Sequence, residues 1–397
     1  MKHLRVVLLA LLAFVLIGSY ELIRSGADAV YVKTYGRDAL PYAWLGVALA
    51  SLVVVSIYSR FVHATHLLRL LAIAAGIFGV TLVALLGART LDLPGTTFAL
   101  YVFKDVYIVV LIEIFWSYAN VVFDLKTAKW IYGLFCAMGS LGGAVGAEIS
   151  KRIAEGVGTE TTLWSLAPVL FVVAVVVGFV KSDQYAAPKK TEKRPSFLSG
   201  LETVRGSRYL LTMLLLIGTV QLVITLIDFL YTGAATAAYP DQDELTAVFS
   251  RVNSIINISA VALQLFTGPV LKLLGVALTL ILIPSLLGSA LGVYLIAPQF
   301  IALAVAKVLS KCLDYSLFRA AKEMLYIPLD YSEKTSGKAV VDMLTYRVAK
   351  GAASVTLLLL VALALQPYVG LGTALLVLLW IAAAVSIGRQ YRRRTNA

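Results

Sequence analysis

The 397-residue chain is 60% apolar and 14% charged, with a net charge of +12, whereas soluble domains run near about 45–50% apolar and about 25% charged. A water-soluble fold cannot hide that much apolar surface, so the bilayer sets the ruler, at about 20 apolar residues per crossing. The positive charge does not indicate a nucleic acid polymer as partner, because the basic residues lie in loops between apolar runs, the pattern of the positive-inside rule.

At the N-terminus, Lys2 and Arg5 precede an apolar run that passes into Tyr20, Glu21 and Arg24 without a convincing cleavage site, so a retained first helix is expected. Apolar runs predict helices at about 5–32, 41–59, 67–88, 98–123, 131–150 and 162–180, then at about 209–231, 247–268, 274–296, 299–328, 337–366 and 370–388. The one long polar connection, Ser182 to Ser207, carries Lys189, Lys190, Lys193, Arg194 and Arg205. It divides the chain into six-helix segments 1–181 and 209–397 joined by a basic linker, 182–208.

With the N-terminus inside, the inner loops hold Arg60, Lys126, Lys129, the linker cluster, Lys272, Lys334, Lys338 and the tail Arg389, Arg392, Arg393 and Arg394. The outer loops hold Arg37, Arg89, Lys151 and Arg152, with acids at Asp241, Asp243 and Glu244. Both termini are therefore expected on the cytoplasmic side of a cell (inner) membrane. The predicted fold class is all-α membrane, about twelve transmembrane helices in two six-helix bundles. That layout is the major facilitator type, in which two halves rock about a midplane site.

An ionised side chain at the bilayer centre costs about 2.5–3.5 kcal/mol even on insertion scales, so such residues are expected to face a cavity or a partner. The predicted first helix carries Glu21, Arg24 and Asp28; the fourth Lys104, Asp105 and Glu113; the seventh Asp228; the tenth Lys307, Lys311, Asp314, Arg319, Lys322 and Glu323. The second, sixth, ninth and twelfth carry none in their apolar spans. This division follows the cavity-lining helices of the major facilitator architecture. Helical spacing places Glu21, Arg24 and Asp28 on one face, with Arg24 and Asp28 an i,i+4 pair, and places Lys307, Lys311, Asp314 and Lys322 within one sector.

Gly139, Gly142, Gly143 and Gly146 form two overlapping small-xxx-small repeats, which let helix backbones approach closely. Gly337-Lys338-Ala339 lacks the hydroxyl of a phosphate-binding P-loop. His63 and His66 have no carboxylate or cysteine beside them, and Cys136 and Cys312 have no partner at metal-ligand spacing. No metal, cofactor or enzyme signature is therefore read from the chain.

From Asp314 to Phe318 the chain reads Asp-Tyr-Ser-Leu-Phe; Lys322-Glu323-Met324 and Tyr326-Ile-Pro-Leu-Asp330 follow, then Gly337-Lys338-Ala-Val-Val-Asp342. This region resembles the nucleotide transporter family of plastids and intracellular bacteria, the ATP/ADP translocase type. Phe115-Trp116 with Ala119-Asn120, and the segment from Tyr20 to Asp28, resemble that family more loosely. Where the family shows an Arg-Asp-x-Lys-Asp run, this chain has Ser25, Gly26 and Ala27 between Arg24 and Asp28. The resemblance implies the major facilitator fold and membrane transport of a charged, phosphate-bearing metabolite such as a nucleotide.

A polyphosphate needs converging cations, and Arg24, Lys104, Lys307, Lys311 and Lys322 are the candidate substrate contacts. Asp28, Glu113 and Asp228 are the candidate coupling carboxylates, since buried carboxylates are the groups that exchange protons in transporters. Pro328 ends a helix, so Asp330 and Lys338 are expected at an inner mouth with Asp314 and Asp342 as gate residues. The near balance of acids and bases also suits a zwitterion or a proton-coupled organic anion. Besides the bilayer, the expected partners are that small solute and a coupling proton or counter-solute. The alternatives are an exporter of a drug or lipid amphiphile, and a non-transporting membrane sensor or partner subunit.

Overall fold

The computed structural model describes residues 2–61, 66–123, 125–179, 197–330, 333 and 337–395, with side chains for these apart from 2–4, 55–56, 58–61, 125–130, 179, 197–200, 339 and 342–347. Regular structure among the described residues is helical throughout. The chain runs through α1 (Lys2–Tyr35), α2 (Leu40–Phe61), α3 (Leu67–Thr90), α4 (Thr96–Val122), α5 (Leu125–Gly156), α6 (Thr159–Phe179), α7 (Phe197–Gly206) and α8 (Arg208–Ala238). It continues through α9 (Gln242–Ile296), α10 (Phe300–Leu313), a π turn (Asp314–Phe318), α11 (Arg319–Leu325), α12 (Lys338–Ala362) and α13 (Val369–Thr395).

Eight of these helices are long and apolar enough by composition to cross a membrane. Four further segments make up the expected twelve. α9 is two helices joined at Gly275, whose φ of 70° lies in the left-handed region where glycine alone is unstrained. α4, 27 residues long, adds one span and carries Lys104, Asp105 and Glu113. α10 and α11 form one span interrupted by the π turn, and α12 completes the set. The short helix α7 lies within the connection read from sequence as a polar linker; Leu201 and Val204 fall on one helical face, and Val204 is buried.

The chain forms two compact units. The first contains Met1–Thr191 and Tyr239–Ile258, the second Glu192–Ala238 and Ser259–Ala397. In the first unit α1 is central, packed against α4, α5 and α6, and its core includes Leu16, Ile23, Leu71, Tyr107 and Phe115, each at most 1% exposed. Residues of the α9 N-terminal half close on this unit through polar contacts. Thr159 N–H donates to Asp243 at 2.7 Å, the Thr159 and Thr246 hydroxyls lie 2.8 Å apart, and Asn253 donates to Ser25 at 3.2 Å. In the second unit α8 is central, packed by α10, α12 and α13, with Phe318 edge-on to Trp380 at 6.2 Å.

The glycine repeat of α5 brings its backbone against that of α1. A Cβ on Gly142 would meet the Phe14 carbonyl oxygen at 2.0 Å, and one on Gly146 the Gly18 carbonyl oxygen at 2.1 Å. Both obstacles are backbone, so neither helix can yield without moving as a whole. Gly146→Ala is expected to destabilise the protein by at least the roughly 1–3 kcal/mol of an overpacked core, read as a lower unfolding midpoint in detergent. Gly133→Ala, on the same helix with open space around it, is expected to be neutral or slightly stabilising.

Candidate functional site

Among the described residues, each unit contains a buried cluster in which a lysine meets an aspartate of another helix, and the two share a plan. In the first, Lys104 on α4 is 2% exposed. Its ammonium lies 3.1 Å from Asp28 Oδ1 on α1 and 3.0 Å from its neighbour Asp105 Oδ1, 3.9 Å from the centre of the Tyr101 ring. Tyr20 donates its hydroxyl to Asp105 Oδ1 at 2.9 Å, and Trp44 of α2 donates its indole N–H to the Tyr101 hydroxyl at 3.0 Å. Arg24 donates to Glu21 Oε1 at 2.9 Å and lies 5.5 Å over the Tyr20 ring. The sequence spacing pairs Arg24 with Asp28. In the folded unit Arg24 closes on Glu21 and Asp28 on Lys104, because Lys104 is buried deeply enough to require a carboxylate.

In the second unit, Asp228 on α8 accepts from Lys307 on α10 and lies 3.2 Å, through Oδ2, from Lys311 Nζ one turn further on. Lys307 sits 5.4 Å over the Tyr231 ring, which packs on Phe300 at 5.8 Å. The side chains of Lys307, Lys311 and Asp228 are 8%, 15% and 22% exposed, so the group borders accessible space on its Asp228 and Lys311 side.

The clusters differ in arrangement. Among the described residues, Glu21, Asp28 and Asp105 lie with Arg24 and Lys104 in the first, and Lys307 and Lys311 share Asp228 in the second. Two ammonium groups one helical turn apart on the same carboxylate match the several oxygens of an anionic group.

The π turn places the remaining candidates. It coincides with the Asp314-Tyr-Ser-Leu-Phe segment and holds one residue more per turn than an α-helix, which shifts Lys322 from the sector a continuous helix would share with Lys311. Lys322 is buried on α11. Asp314 carries a buried Oδ1 with no hydrogen-bond partner among the described residues. Lys338 pairs with Glu323 and lies 4.8 Å over the Tyr326 ring. Asp330 is exposed, its backbone N–H donating to Glu333 at 3.4 Å. The side chain of Asp342 lies outside those described. α11 ends at Leu325, three residues before Pro328, where the Tyr209 hydroxyl donates to the Leu325 carbonyl at 2.8 Å.

Glu113 does not join Lys104. Nine residues separate them, about two and a half helical turns, so they occupy opposite faces of α4, and Glu113 is exposed. Phe115 and Trp116 pack on Tyr132 and Phe135 of α5, and Asn120 accepts from Tyr132 at 2.6 Å; that segment is packing. The cluster residues not singled out in the sequence are the tyrosines Tyr31, Tyr101 and Tyr231. A signal for two of them exists: Asp28-Ala-Val-Tyr31 and Asp228-Phe-Leu-Tyr231 repeat an Asp-x-x-Tyr spacing on the first helix of each half. The Tyr31 ring lies 4.6 Å from Tyr101, the ring beneath Lys104, tilted by 52° against it.

Replacing Lys104 by Met is expected to destabilise the protein by about 3–5 kcal/mol, because Asp28 and Asp105 lose a buried partner. Adding Asp28→Asn and Asp105→Asn recovers most of that loss in thermal unfolding. Equal loss in the single and triple variants would show that shape rather than charge sets the cost.

A model of the family described as TLC ATP/ADP transporter matches residues 172–298 and 290–391. The chain is 24% identical to ADP,ATP carrier protein 3 of Rickettsia bellii, in a match covering 74% of this chain and 70% of that protein. It is also 24% identical to ADP,ATP carrier protein 1 of Chlamydia muridarum, covering 74% of this chain and 65% of the relative. For ADP,ATP carrier protein 3 of Rickettsia conorii the match spans 60% of that protein's length. Among solved structures the fold is similar to a mutant of the nucleoside transporter NupG, with a TM-score of 0.71 at 11% identity over 98% of this chain and 99% of that one.

Proposed function

The chain belongs to the TLC ATP/ADP transporter family, and from that premise we propose that it is a secondary transporter of a phosphate-bearing metabolite, working by alternating access and not by catalysis. Nucleotides are the first class to test, since the relatives are named ADP,ATP carriers. The observation that carries this reading is the sharing of Asp228 between Lys307 and Lys311.

A buried lysine pair without an anion would repel itself and lose solvation. Asp228 supplies that anion when no substrate is bound. An incoming phosphate offers several charged oxygens to the same two ammonium groups and displaces the carboxylate. Substrate and carboxylate then exchange as counter-ions, so the lysines stay compensated throughout the cycle. Tyr231 and Phe300 beside them give an aromatic surface for the apolar part of the solute. Lys104, already held by two carboxylates, is assigned a role in keeping α1 and α4 together, with Arg24 as the more accessible cation of the first unit.

A counter-solute or a proton supplies the driving force. Asp314 is the proposed proton carrier, because its buried Oδ1 has no hydrogen-bond partner among the described residues, with Lys311, Arg319 and Lys322 as the charges acting on it. In proteoliposomes, Lys311→Gln is expected to weaken nucleotide binding by about 2–5 kcal/mol, the cost of truncating one member of a desolvated charged contact. Asp314→Asn is expected to keep equilibrium exchange and lose accumulation driven by a pH gradient. Uptake by Lys311→Gln equal to that of the parent would remove the phosphate site from α10.

The membrane assigned is the cell (inner) membrane, with both termini and the basic linker cytoplasmic, from the loop charges. Cysteines introduced at positions 190 and 243 are expected to react with impermeant reagents from opposite faces; labelling from one face reverses the assignment.

A further inference from the structure

A second basic site lies in the second unit, where α7 passes into α8 and α13 ends. An open pocket of about 340 Å³ is lined there by Ser207, Arg208, Tyr209, Glu333, Arg393 and Arg394, among others. Arg208 and Asp228 are twenty residues apart on α8, a rise of about 30 Å along the helix, so this pocket is separate from the Lys307 and Lys311 group.

The pocket has a fixed wall and open donors. Glu333 accepts from the Ser207 hydroxyl at 2.5 Å and from Arg394 at 2.9 Å, and Arg394 lies 4.7 Å over the Tyr209 ring. Burial alone raises the Glu333 carboxyl, yet the hydrogen bonds from Arg394 and Ser207 hold it below the usual range, so it stays charged and keeps Arg394 in place. Arg208 and Arg393 are exposed and have no ion-pair partner among the described residues. Three guanidinium groups against one carboxylate leave two positive charges in excess. The first turn of α8 borders the same pocket and adds the partial positive charge of a helix N-terminus.

The level of the pocket identifies its ligand chemistry. Arg208 is the first residue of the apolar span α8, and Arg393 and Arg394 close α13, the last span. Such positions lie at the boundary between hydrocarbon and water, where headgroup phosphates are found. We propose that this pocket binds a phosphate group at the membrane surface, that of an anionic phospholipid headgroup or of a soluble phosphate, and that occupancy braces α7, α8 and α13 against one another.

The test uses the purified full-length chain in neutral detergent. Mixed micelles of phosphatidylglycerol or phosphatidylcholine are added in one arm, and inorganic phosphate or chloride at equal ionic strength in the other, with the unfolding midpoint as readout. Phosphatidylglycerol or phosphate is expected to raise the midpoint where phosphatidylcholine and chloride do not. Replacing Arg208 and Arg393 together by Gln is expected to weaken that response at least tenfold, while Lys104, Lys307 and Lys311 remain intact. A response to phosphatidylglycerol alone assigns the headgroup as source, and a response to inorganic phosphate alone assigns a soluble ligand. An equal rise in the double variant, or no rise with either probe, overturns the proposal.

Discussion

In each half of the protein a carboxylate on the first helix holds a lysine from the fourth: Asp28 with Lys104, and Asp228 with Lys307. Neither lysine can stand in an apolar bundle alone, because the desolvation of an ammonium group is recovered only by a close anion and aromatic faces. The first helix of each half is therefore forced to the centre of its unit, where its aspartate can reach the fourth. The packing of α1 on α4, α5 and α6, and of α8 on α10, α12 and α13, follows from that requirement.

The glycine face of α5 serves the same constraint from the other side. With carbonyl oxygens of α1 lying where a Cβ of Gly142 or Gly146 would be, α1 is seated too closely to roll. A rolled α1 would carry Asp28 away from Lys104. Backbone proximity and charge pairing thus support one another, and the small residues fix the geometry that the ion pair needs.

The two halves use the common plan unequally. The first surrounds its lysine with two carboxylates and a network of tyrosines, so its cations are already compensated. The second divides one carboxylate between two lysines. Two lysines that share one carboxylate can exchange it for an arriving anion, and that sharing separates the second cluster from the first. The basic pocket at the end of α8 and α13 follows the same logic at the surface, with Arg394 neutralised by Glu333 and its neighbours left to solvent.

The sequence by itself determined the membrane class, the spans and the helices that carry charge, because apolar run length and the cost of a membrane charge are local properties of the chain. It also located the helix end before Pro328, where the missing amide and the ring act on adjacent turns. It did not determine which charges pair. Arg24 lies three residues from Glu21 and four from Asp28, both within reach on one helix face, and the choice was made by Lys104, eighty residues away, through its burial. The opposite facing of Glu113 and Lys104 was readable from their spacing; the turn that moves Lys322 was not, because a π turn depends on the packing around it and not on a residue type. The Asp-x-x-Tyr repeat is visible in the letters, but only the tertiary structure gave it meaning, by bringing Tyr101 onto Tyr31 and Lys307 over Tyr231. Pairing across helices is decided by which side chains share a low-dielectric interior, and that is a property of the packed bundle.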